Sequence, residues 1–78
     1  MPVVLRWKGY VFRFYSKEED RPHVHVFKQG AQAKVWLEPD VETAIYRGYS
    51  LKELNMIEKK VQEERDQLLA EWRRYFGS

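Results

Sequence analysis

The chain has no cysteine and only 4 glycines and 3 prolines among its 78 residues. Without cysteine there is no disulfide framework and no thiolate metal site, which suits a reducing compartment. No stretch approaches the ~20 apolar residues of a membrane span. The opening MPVVLRWKGY lacks the apolar run of a signal peptide. A cytoplasmic location without membrane contact is therefore the expectation. A dominant charge is missing as well: 14 Lys+Arg face 12 Asp+Glu, a formal +2. Any case for a nucleic-acid partner must rest on where the cations sit. Aromatic residues, by contrast, are plentiful at 15%. A domain of this size buries only ~60% of the surface of its unfolded chain, so nearly every large apolar side chain is needed in one core.

The pattern predicts a single domain over 1–78 that begins with a hairpin over 3–15, VVLRWKGYVFRFY, turning at Lys8-Gly9. Trp7 then faces Tyr10, Leu5 faces Phe12 and Val3 faces Phe14 on one apolar side. Arg6 and Arg13 fall on the other side with Val4, Val11 and Tyr15. Lysine is a poor residue for positive φ, so a bulged loop with Gly9 left-handed is the alternative turn. A charged connection, SKEEDRP (16–22), follows. The second hairpin spans 23–37 and turns around Gln29-Gly30. A loop of two or of four residues gives the same faces. Val24, Val26, Ala33, Val35 and Leu37 share the apolar side, and His23, His25, Phe27, Lys34 and Trp36 point away from the core.

Residues 38–49 read as an irregular linker, broken by Pro39, that contains at most one helical turn. A long helix is expected over 50–76. Ser50 and Glu53 form a capping box ahead of a stripe of Leu54, Ile57, Val61, Leu68, Trp72 and Phe76, and Gly77 is the stop. Arg65 interrupts the stripe, its stem packed and its head in solvent. The fold class is α+β: a four-stranded antiparallel sheet of two β-hairpins with one long C-terminal helix on one face.

One helix covers one face. The open face carries Arg6, Arg13, Tyr15, His23, His25, Phe27, Lys34 and Trp36, basic and aromatic beyond the balance of the whole chain. His23 and His25 stand ~6.5–7 Å apart along a strand, within reach of one ion. Zinc needs three or four ligands, and Glu19, Asp20 and Glu38 sit at no recognised ligand spacing, so no metal site is assigned. Histidine-triad chemistry fails because Phe27 holds the third alternate position and no glycine-rich phosphate loop is present. Two-histidine phosphoesterases need a second motif with a hydroxyl. Serine catalysis has only Ser16, Ser50 and Ser78 to draw on.

Metal-independent RNA cleavage fits better. His25 would be the base, kept neutral by Lys34 across the strand pair, with His23 as the acid. Lys34 and Arg13 would hold the phosphate. Binding without chemistry asks for less: Arg6, Arg13, Tyr15, Phe27 and Trp36 can meet a protein partner or RNA, and the same face can form a homodimer. No small-molecule cofactor is expected.

MPVVLRWKGYVFRFYS, PHVHV, AKVWLEP, RGYS and LLAEWRRYFG together resemble the small bacterial domain-of-unknown-function family 4160. The Pro-His-hydrophobic-His block is the most specific part of that resemblance. Many relatives carry two prolines where this chain has Arg21-Pro22, and often Asn where it has Tyr46. The resemblance implies a stand-alone protein often encoded beside a second small protein, in a toxin–antitoxin-like module with no agreed activity. The reading is a small binding or regulatory protein. It would engage a cognate protein through the His23/His25 face, with self-association and RNA as the other partners.

Overall fold

The computed structural model describes residues 3–15 and 21–77. Five antiparallel strands lie side by side in chain order: β1 (Val3–Trp7), β2 (Tyr10–Arg13), β3 (His23–Lys28), β4 (Ala31–Trp36) and β5 (Glu42–Arg47). Two helices follow, α1 (Leu51–Glu63) and α2 (Arg65–Phe76). The α+β class and the antiparallel sheet stand. The count of four strands and one helix is corrected to five and two.

Both expected hairpins close with two-residue turns. Lys8 and Gly9 have φ of 49° and 82°, and Gln29 and Gly30 have 47° and 83°, the positive values that a type I′ turn requires. Trp7 pairs with Tyr10 and Leu5 with Phe12, but a bulge then sets Val3 opposite Arg13 and not opposite Phe14. The extra residue turns Val4 inward, where it packs against the core beside Leu5. Val3 and Val4 therefore exchange the sides that strict alternation gives them. In the second hairpin Val24 opposes Val35 and Val26 opposes Ala33, all buried with Leu37. The connection 16–22 lies, through residue 20, outside the described residues.

Within the linker expected over 38–49, Glu42–Arg47 pairs along β4 as a fifth strand, with a bulge between Lys34 and Val35. Thr43 ties it to α1 by donating from its N–H and its hydroxyl to the Glu58 carboxylate. The expected helix exists but breaks at Glu64, whose N–H still bonds the Lys60 carbonyl at 3.0 Å. Just beyond the break, the Arg65 guanidinium donates to the Leu37 carbonyl at 2.7 Å and the Pro39 carbonyl at 3.3 Å. Its head is thus spent on the end of β4, not on solvent. The capping box forms as read: Ser50 Oγ accepts from the Glu53 N–H at 3.1 Å, and Glu53 Oε1 accepts from the Ser50 N–H at 3.1 Å.

Leu54, Ile57, Val61, Leu68, Leu69 and Trp72 from the helices meet Phe12, Phe14, Val24, Val26, Val35 and Leu37 from the sheet in a single buried cluster. Phe76 packs partly buried against it. Among the described residues no helix is long and apolar enough to cross a membrane. The helices cover one side of the sheet, and the other side holds the candidate site.

Candidate functional site

The register arranges the open face as rows running across the strands. One row is Val3, Arg13, His25, Lys34 and Ile45; the next is Arg6, Val11, Phe27, Gln32 and Arg47. His23, Trp36 and Glu42 form a third. His25 and Lys34 are thus direct cross-strand partners, as the hairpin reading requires, and Arg13 flanks His25 on its other side.

The rings of this face pack on one another. Tyr15 stacks on His25 with centroids 3.9 Å apart and planes 9° from parallel. Phe27 lies 6.5 Å from His25 and 6.3 Å from Tyr15. Cations cover the flanks: the Arg13 guanidinium sits 4.9 Å from the Phe27 ring, and Lys34 Nζ 4.5 Å from Trp36. Arg21 joins them at 4.1 Å from Trp36, its Nε donating to the Glu38 carbonyl at 2.7 Å. Each such contact pairs a positive head with the negative face of a ring and holds a long flexible chain in place. The Arg13 Nε is buried with no hydrogen-bond acceptor among the described residues.

His23 departs from expectation. It shares the strand parity of His25, yet it is 1% exposed. Its ring meets Trp72 of α2 at 5.2 Å, Trp36 at 5.3 Å and His25 at 5.0 Å. Because it is the first residue of β3, a helix side chain reaches it and closes it off. A carbonyl oxygen only accepts, so Nδ1 must be the donor in its 2.8 Å bond to the Arg21 carbonyl. The expectation that both histidines point away from the core holds for His25 alone. Among the described residues no group of three His, Asp or Glu side chains gathers to hold a metal.

Sequence reasoning brings Arg13, Tyr15, His25, Phe27, Lys34 and Trp36 together correctly. Arg6 stands exposed one row away, beside Val11. The residues it missed come from β5 and the strand approach. Ile45, Tyr46 and Arg47, with Tyr15, His25, Gln32, Ala33 and Lys34, line a shallow groove of about 480 Å³ along β4 and β5. Thr43, Ile45 and Tyr46 were a signal for that strand, being residues that favour a pleated surface.

A family model described as domain of unknown function (DUF4160) matches residues 9–73. No curated protein matches the chain, and no solved structure does.

Proposed function

The chain belongs to the domain-of-unknown-function family DUF4160, and from that premise we propose that it is a binding module whose open sheet face docks a cognate protein. One observation carries this reading. Tyr15, His25, Phe27 and Trp36 are already stacked on one another or capped by Arg13, Arg21 and Lys34. Ring faces engaged in this way are poorly placed to take up successive bases, whereas aromatic edges and anchored cations suit the apolar and acidic side chains of a protein. The burial of His23 also counts against the RNA-cleavage reading, in which that residue would be the acid. The partner that the family resemblance suggests is a small protein encoded alongside, in a toxin–antitoxin-like pair.

RNA binding without cleavage is the second reading, favoured by the unpaired Arg13 Nε and by the row of Arg13, His25 and Lys34. Co-expression with the neighbouring gene product tests the first. The pair should co-purify, and Arg6→Glu or Trp36→Ala should separate it. Retention of the partner by both variants, with fluorescence anisotropy showing Lys34-dependent binding of an RNA oligonucleotide, would transfer the site to RNA. In that case Lys34→Ala should also lower the log–log salt slope by roughly one.

A further inference from the structure

The last strand offers an edge as well as a face. In a two-residue hairpin the pair flanking the turn exchanges two hydrogen bonds, and such pairs recur at every second position. Lys28 and Ala31 are that pair here, so Ala33 and Val35 turn their backbone groups toward β3 while Gln32, Lys34 and Trp36 turn theirs toward β5. The β5 residues that meet them are Arg47, Ile45 and Glu42. Thr43 and Tyr46 consequently aim N–H and C=O away from the sheet. The Glu58 carboxylate takes the Thr43 N–H at 3.3 Å, and the bulge beside it interrupts the ladder. Among the described residues β5 is the edge of the sheet, and residues 45–47 are the part of it beyond the bulge.

The groove described above runs beside that part. Arg47, Lys34 and His25 contribute its cationic and imidazole groups, and among the described residues no carboxylate lines it. Ile45 is 67% exposed and Tyr46 50%, so apolar surface and positive charge lie together at the edge. A strand added here would pair its backbone with Tyr46 and set alternate side chains over the groove.

We infer that residues 45–47 receive an added strand: an extended acidic segment of a partner protein, with an apolar residue on Ile45 and a carboxylate two positions away on Arg47. The inference rests on the partner reading given above and specifies the chemistry of that partner. Backbone pairing separates the peptide from RNA, which has no amide to offer Tyr46.

The test titrates the acetylated, amidated peptide Thr-Val-Thr-Glu-Thr-Val into the isotope-labelled full chain and follows backbone amides by NMR. The amides of residues 45–47 should shift, and exchange of the Tyr46 N–H should slow. Arg47→Glu, at an exposed position, should weaken binding roughly tenfold. Exchanging the glutamate of the peptide for lysine, or N-methylating its fifth residue, which lies opposite Tyr46 when the strand adds antiparallel with the glutamate on Arg47 and the last valine on Ile45, should abolish binding. Unmoved amides at 45–47 up to the solubility limit of the peptide would overturn the inference. Equal binding of the N-methylated peptide would do the same, as would its displacement by hexauridylate. If the neighbouring gene product is kept by Arg47→Glu yet lost by Arg6→Glu, strand addition fails while the docking face stands.

Discussion

On the helix side of the sheet, Phe12 and Phe14 are fully buried, and Phe14 meets Trp72 edge to face at 5.2 Å. On the other side, Phe27 and Trp36 keep part of their surface in water and carry Arg13, Arg21 and Lys34 across their rings. The strands are the same, and the difference lies in what covers each ring. Under the helices the gain is removal of apolar area from water, at about 25 cal/mol per Å². On the open side a cation over a ring contributes only about 0.5–1 kcal/mol at exposed sites. One face thus holds the fold together, and the other keeps rings and cations partly in water.

The sharpest way to break this contrast is to delete one ring from each face. Phe12→Ala should lower unfolding free energy by about 3–5 kcal/mol in a denaturant titration. Phe27→Ala should lower it by about 1 kcal/mol, the scale of an aromatic pair. Equal losses would mean that the two faces are not energetically distinct.

Gly48, where β5 turns toward the helices, tests the join between them. Its φ is +87°, and an added Cβ would stand 2.9 Å from the Ala31 Cβ. Gly48→Ala should therefore cost about 1–2 kcal/mol from backbone conformation alone, plus the clash. Adding Ala31→Gly should recover the clash and leave the conformational part.

Ser50→Ala removes the cap of α1 and should cost about 1 kcal/mol. The Ser50 N–H, then the Tyr10 and Ser50 hydroxyls, hold the Glu53 carboxyl below its ordinary 4.5. A folded value lying under the unfolded one gives stabilisation that is full above 4.5 and lost as pH falls through the folded value. Glu53→Gln should therefore flatten the acid limb of the stability profile. At the other end, burial, followed by the neighbouring Tyr10 and Glu53, pushes the Tyr49 hydroxyl up to about 12. That group stabilises fully below 10 and loses its contribution as pH rises toward 12, so Tyr49→Phe should flatten the alkaline limb. The smallest expected effect is that of Lys34→Ala, within about 0.5 kcal/mol, as for most surface changes.

Both hairpins were legible because each turn is short and each strand alternates cleanly, as Val24, Val26 and Val35 do. The fifth strand was not, and its burial explains why. Thr43 alone within Glu42–Arg47 is partly covered, so there is no contrast between inward and outward residues to read. The bulge near Val35 then puts Thr43 and Ile45 out of phase across the pleat. The break at Glu64 lacked a Gly or Pro signal. What marks it is the pull of the Leu37 and Pro39 carbonyls on Arg65, a contact 28 and 26 residues away in the chain. Strand parity placed His25 correctly and His23 only formally, because parity says nothing of a helix side chain reaching the end of a strand.

The order of the strands has a consequence for how the molecule is made. Each strand pairs with its chain neighbour, so the sheet closes through local loops, the kind of contact that forms early and fast. The helices come last, after Arg47, while synthesis proceeds from the N-terminus. For the time taken to translate α1 and α2, the side of the sheet bearing Phe12, Val24, Val26 and Val35 has no cover of its own. The nascent sheet is then a sticky, one-sided surface, and the last third of the chain acts on it as a built-in chaperone.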